Sequence, residues 1–153
     1  MENLDIVVLR TLKAWRDAGQ RAMLTTVVRT WGSSPRPVGS IMALCETGAV
    51  VGSVSGGCIE DDLIAQYSKA NAITDSAPVR LKYGISADEA HRFGLPCGGT
   101  LELLLEFNPD AARLTELIDM LARGQLTQRC TNLQTGLVTL IASDAPRDRK
   151  SVV

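Results

Sequence analysis

Leu101-Glu102-Leu103-Leu104-Leu105-Glu106-Phe107-Asn108-Pro109-Asp110 decides the fold class of this chain. Leu101, Leu103, Leu105 and Phe107 alternate with Glu102 and Glu106, the period-two pattern of a strand with one face on a core. Asn108 and Pro109 then end the strand and open a helix, with Asn as cap and Pro at the first helical position. Leu114, Leu117, Ile118 and Leu121 recur at helical spacing until Gly124 stops the run. A strand handing over directly to a helix points to the α/β class.

Working outward, the same alternation of element types continues. Leu4, Val8, Leu12 and Trp15 mark a first helix ending at Gly19, and β-branched residues from Met23 to Thr30 mark a strand. Trp31 to Gly39, with Pro35 and Pro37, cannot extend that strand. A hairpin is expected over 40–51, turning at Glu46-Thr47-Gly48. Ile59, Leu63 and Tyr67 mark a helix, 79–83 a strand, 87–93 a short helix, and 126–142 a final hairpin turning at Gln134-Thr135-Gly136. The expected architecture is one compact α/β domain over residues 1–142, a mixed sheet with short hairpins and flanking helices. Residues 143–153 are expected to be a linker or disordered tail.

The 153 residues, 45% of them hydrophobic, suffice for one buried core. A net charge of −1 argues against nucleic acid or an anionic membrane as the main partner. The start Met-Glu-Asn-Leu-Asp is acidic where a secretory signal is basic, and the apolar runs are too short to span a bilayer. The expectation is a cytoplasmic protein in which Cys45, Cys58, Cys97 and Cys130 are reduced thiols. Cys45 and Cys130 read as small buried hydrophobes.

Cys58 and Cys97 read differently. Each stands in a glycine-rich loop, Gly52-Ser53-Val54-Ser55-Gly56-Gly57-Cys58-Ile59-Glu60 and Gly94-Leu95-Pro96-Cys97-Gly98-Gly99-Thr100. Missing Cβ atoms let a ligand approach the backbone, and the helix beginning near Cys58 offers unpaired N–H groups to an anion or thiolate. Glu60, Asp61 and Asp62 oppose an anion there unless their side chains point away. Arg36, between two prolines, is either a contact for an anionic ligand or an ordinary surface arginine. His91 could serve Cys97 as a base or be a partly exposed helical histidine. No dinucleotide fingerprint is present, and isolated cysteines do not form the close pairs of a structural zinc site.

The segments Ser34-Pro35-Arg36-Pro37-Val38-Gly39, Gly52 to Glu60, Tyr83-Gly84-Ile85 and Leu95 to Gly99, in this order, resemble the N-terminal domain of the xanthine dehydrogenase accessory protein (XdhC/CoxI) family. The resemblance implies a maturation chaperone, not an enzyme. Such a protein binds the molybdenum cofactor (molybdopterin), protects it, and delivers it to an apo molybdenum hydroxylase such as xanthine dehydrogenase. A cysteine desulfurase is the implied sulfur source, and a homodimer a possible assembly. The implied cofactor-binding residues are Cys58, Cys97, Ser55, Gly56, Gly57, Gly98, Gly99 and Arg36, with Cys58 also a contact to molybdenum. Family members usually continue into a Rossmann-like domain, which this sequence does not contain. The rival readings are a thiol enzyme using Cys58 or Cys97, and a dimerising interaction domain without ligand.

Overall fold

The computed structural model describes residues 3–32, 36–55, 57–84 and 100–143. The elements are α1 (Leu4–Asp17), β1 (Ala22–Trp31), β2 (Ile41–Cys45), β3 (Val50–Gly52), α2 (Cys58–Tyr67), β4 (Val79–Tyr83), β5 (Thr100–Phe107), α3 (Ala111–Ala122), β6 (Leu126–Thr131) and β7 (Val138–Ser143). Five strands form one sheet in the order β3-β2-β1-β5-β4, and β6 and β7 form a separate hairpin. The short helix expected over 87–93 lies outside the described residues.

Strand side chains point alternately to the two faces of the sheet, and both faces are covered. Met23, Val27, Met42, Leu44, Leu101, Leu103 and Leu105 pack on one side with Ile59 and Leu63 of α2. Ala22, Leu24, Ile41 and Ala43 pack on the other with Leu9 and Leu12 of α1 and Leu114 and Leu117 of α3. Each fully buried Val, Leu, Ile or Met among them stabilises the fold by roughly 1.5–3 kcal/mol. Trp15 packs against the second cluster, as its helical spacing implies, and Cys45 is fully buried. Cys130, by contrast, is only half-buried on the two-stranded hairpin.

The α/β class, the hairpins and the flanking helices are as expected, but the sheet is antiparallel at every described pairing. Interleaved helices generate parallel neighbours only when a crossover returns the chain beside the strand it left. Here the chain leaves β3 at one edge of the sheet and, after α2, resumes in β4 at the opposite edge.

Two local expectations are corrected. Asn108 is not the cap of α3. It takes a left-handed conformation, φ +49°, tolerated by asparagine. Its Oδ1 accepts from the Ala22 N–H at 3.1 Å and its Nδ2 donates to Asp75 at 2.7 Å. The cap is Asp110, whose carboxylate accepts from the Ala112 N–H at 3.1 Å. The glutamates of β5, placed on a polar face by their alternation, are buried at 5% exposure. The β6–β7 hairpin covers Glu106, and Arg129 of β6 donates to it at 2.8 Å, with both side chains only 6% exposed. The Thr131 hydroxyl adds a bond of 3.0 Å to the same carboxylate.

Breaking a buried ion pair by removing one partner strands the other charge. Arg129→Met should therefore destabilise the protein by about 3–5 kcal/mol in urea unfolding. The double variant Glu106→Leu/Arg129→Met should recover most of that loss.

Candidate functional site

Three loops leave the main sheet at one end. Register sets this arrangement: Trp31 lies opposite Thr100, Tyr83 opposite Leu101, Thr26 opposite Ile41, and Met42 opposite Gly52. Hence the segment after β1 that carries Arg36, the segment joining β3 to α2, and the segment joining β4 to β5 all depart on the same side. The Thr100 hydroxyl donates to the Gly84 carbonyl at 3.1 Å and ties together the two residues that bracket the segment holding Cys97.

Gly52 makes the passage from β3 possible. At φ +83°, a Cβ there would lie 2.4 Å from the Ile41 carbonyl oxygen and 2.9 Å from a methyl of Val8. Beyond it the chain folds around the carboxylate of Glu60, itself 8% exposed. Oε2 accepts from the Ser53 hydroxyl at 2.7 Å and from the N–H groups of Val54 and Ser55, both at 3.1 Å. Oε1 accepts from the Ser55 hydroxyl and from the Gly57 N–H at 3.2 Å. Burial alone would push this carboxyl up, but the bonds from the Ser55 and Ser53 hydroxyls and the Ser55 N–H outweigh it. They hold its pKa down to about 2, against an ordinary 4.5.

The anion cradled by this glycine loop is therefore the protein's own carboxylate. Glu60 does not point away from the N–H groups; it takes up those of Val54, Ser55 and Gly57. The other two carboxylates of the turn are placed differently. Asp61 is exposed. Asp62 accepts from Gln66 and from the Tyr83 hydroxyl, each at 2.7 Å, and so fastens α2 to the last residue of β4. Burial, followed by the bond to Asp62, drives the Tyr83 phenol above its usual range.

Of the residues expected to contact a cofactor, Ser55 is buried with its hydroxyl on Glu60. Gly57 has φ +144°, and among the described residues, its chain neighbours aside, no atom lies within 4 Å of where its Cβ would be. Cys58 is the first residue of α2; its side chain lies outside the described set, as do Gly56, His91, Cys97, Gly98 and Gly99. The expected common cleft for Cys58 and Cys97 thus falls outside the described residues. Arg36 is half-buried, and its charge favours the ionised form of Asp5, a carboxyl that burial pushes up. That places Arg36 toward α1, on the face of the sheet opposite α2. Among the described residues no three His, Cys, Asp or Glu side chains could hold a metal ion, and no helix is long and apolar enough to cross a membrane.

The loop-holding role of Glu60 was missed from the sequence. Its signal is the position of a glutamate three residues after the helix cap Gly57, the spacing at which a carboxylate reaches back to the cap N–H.

Glu60→Gln should cost about 2–4 kcal/mol, because the loop's donors lose a charged acceptor. Glu60 has a lower pKa folded than unfolded, so its contribution is full above about pH 4.5 and fades as pH falls toward 2. The gap in melting temperature between wild type and Glu60→Gln should therefore narrow over that window. At Gly57 the backbone, φ +144° and ψ −53°, lies outside the left-handed helical region that asparagine visits, so Asn and Val should both melt below wild type.

Residues 15–84 match the XdhC and CoxI family. The molybdenum cofactor insertion chaperone PaoD of Escherichia coli (strain K12) is 31% identical over 104 residues, 68% of this chain and 32% of that protein. A probable xanthine dehydrogenase subunit from Bacillus subtilis (strain 168) is 27% identical over 95 residues, 62% of this chain and 29% of that one. A solved structure described as a xanthine dehydrogenase from Bacillus halodurans superposes with a TM-score of 0.71 at 27% identity. It covers 93% of this chain, which in turn covers 43% of it. The chain spans about a third of the length of the curated relatives it matches. The family match runs from Trp15 through the Arg36 segment and the Glu60-centred loop to Gly84, and together with the 31% identical relative matched over 68% of this chain it shows that the chain belongs to the XdhC and CoxI family.

Proposed function

We propose that this chain binds the molybdenum cofactor and hands it to an apo molybdenum hydroxylase of the xanthine dehydrogenase type, acting as an accessory chaperone and not as an enzyme. The observation that carries the reading is the departure of the three motif-bearing segments from one end of the sheet. The name of the Escherichia coli relative, a cofactor insertion chaperone, points the same way.

In this reading Cys58 is the principal contact and Cys97 the second. Cys97 precedes Thr100, the first residue of β5, by three positions in the sequence. Gly56, Gly57, Gly98 and Gly99 permit close approach to the backbone. Ser55 acts indirectly, by shaping the loop through Glu60. The N–H groups of Val54, Ser55 and Gly57 are engaged by Glu60, so they do not suit the cofactor's phosphate; the reading keeps Arg36 as a contact for it on the strength of the family motif. When bound, the cofactor supplies a soft metal–sulfur centre, for which a thiolate is the matched protein group. The same reading includes a cysteine desulfurase as sulfur donor, action in the cytoplasm and assembly as a homodimer.

Anaerobic titration with the cofactor tests the assignment. Cys58→Ala should weaken binding by about tenfold or more, roughly 1.4 kcal/mol, with an unchanged thermal melt. Cys45→Ala should bind normally but melt lower, by about 1–2 kcal/mol of stability, because it leaves a cavity in the core. Full-strength binding by Cys58→Ala would remove that residue from the site.

A further inference from the structure

The face of the sheet opposite α2 is left open where β1, β5 and β4 approach the loop-bearing end, and this open region has a distinct chemistry. Arg29, Trp31, Arg80 and Lys82 are all exposed there. Register aligns them: Arg29 and Lys82 flank Glu102 in one row, Trp31 lies beside Thr100 in the next, and Arg80 lies beside Leu104. The Trp31 ring, 40% exposed, has the Arg29 guanidinium 5.4 Å and the Lys82 ammonium 5.2 Å from its centroid. Arg80 stands 3.9 Å from Glu102, whose own side chain is only 7% exposed. The described part of the face thus presents three cations over one buried carboxylate, in a chain whose net charge is −1.

A β-bulge creates this face. Before it, Met23, Thr25 and Val27 pair with Phe107, Leu105 and Leu103 and point toward α2. The register then shifts between Val27 and Arg29, so Arg29 and Trp31 pair with Glu102 and Thr100 and point the opposite way. Bulges re-aim side chains in this manner and gather beside functional sites. Without the extra residue, Arg29 and Trp31 would be directed toward the side of α2.

The surface is shallow. A depression of about 220 Å³ on it is lined by Val28, Arg29, Arg80, Glu102, Leu104 and the exposed Leu133. A patch of tryptophan and arginine has the residues enriched in a protein-docking hot spot. Single-stranded nucleic acid fits less well, since it needs successive aromatic platforms along a basic groove. Trp31 is also the residue from which the Arg36-bearing loop departs, and Thr100, beside it, bounds the Cys97-bearing segment. A partner seated here would lie at the strand ends from which the Arg36-bearing and Cys97-bearing segments depart.

We propose that the Arg29–Trp31–Arg80–Lys82 face docks an acidic surface of the protein that receives the cofactor; the proposal rests on the chaperone reading above. The cations steer the encounter and fix orientation, and Trp31 supplies the desolvated anchor.

The test uses the full chain, immobilised, with an apo molybdenum hydroxylase of the xanthine dehydrogenase type as the probe in solution. The triple variant Arg29→Gln/Arg80→Gln/Lys82→Gln should weaken association about tenfold or more at about 0.05 M salt, with the difference shrinking toward about 0.5 M. Trp31→Ala should weaken it about tenfold with little change in the salt slope. Trp31→Ala should melt as wild type does, the triple variant should melt lower because it strips the cations from the buried Glu102, and both should take up cofactor as wild type does. Unchanged association in both variants, or no association by wild type, overturns the docking surface while wild-type cofactor uptake keeps the chaperone reading. Loss of cofactor uptake in the variants overturns it as well, by assigning the face to the cofactor. A mixed-sequence single-stranded RNA that binds wild type, but not the triple variant, in place of the enzyme also overturns it. Wild-type protein that takes up no cofactor defeats the chaperone reading on its own titration.

Discussion

Six consecutive buried residues, Ala22 to Val27, make the first half of β1 apolar or desolvated on both faces, and this constraint organises the rest of the fold. A strand of that kind has to be covered twice. One cover is α2; the other is α1 with α3. Because these covers lie on opposite sides, the chain must cross from β3 to α2 over the end of the sheet, and Gly52 is where it does so. With Ile41 and Val8 packed against it, that passage admits no side chain. The motif loop is at the end of the sheet because the layers leave it no other route.

Beyond that passage, the loop is held from within. A buried carboxylate needs several donors to remain charged, and Glu60 collects hydroxyls and N–H groups from Ser53, Val54, Ser55 and Gly57. The described donors of the loop thus turn inward to one carboxylate. Asp62 and Tyr83 extend the same order across to β4, so the first turn of α2 and the end of β4 are fastened as one unit.

Much of this was legible in the residues. The alternation in β5, the glycine stops after α1 and α3, the Glu46–Gly48 turn and the final hairpin all follow from local periodicity and turn chemistry, which short stretches of sequence encode fully. What was not legible depends on partners distant in the chain. The burial of Glu106 depends on Arg129, and the cap at Asp110 on Asn108 being drawn to Ala22. The antiparallel pairing depends on where β4 docks. At the candidate site, the glycine-rich loop and its cysteine were evident, but the occupant of its N–H groups was not. Glu60 belonged to the same nine residues, yet read as an opposing charge, because nothing local states which way a carboxylate turns.

The bulge in β1 also makes residue 28 a boundary of parity. Up to Val27, odd-numbered positions face α2 and even-numbered ones face α1 and α3; at Arg29 and Trp31 the assignment is reversed. A related sequence lacking one residue here would align almost perfectly by identity while exchanging the inside and outside of the strand's final turn toward the loops. Tolerance to substitution must therefore be read in opposite phase on the two sides of Val28, and the same amino acid two positions apart can be core in one case and contact surface in the other.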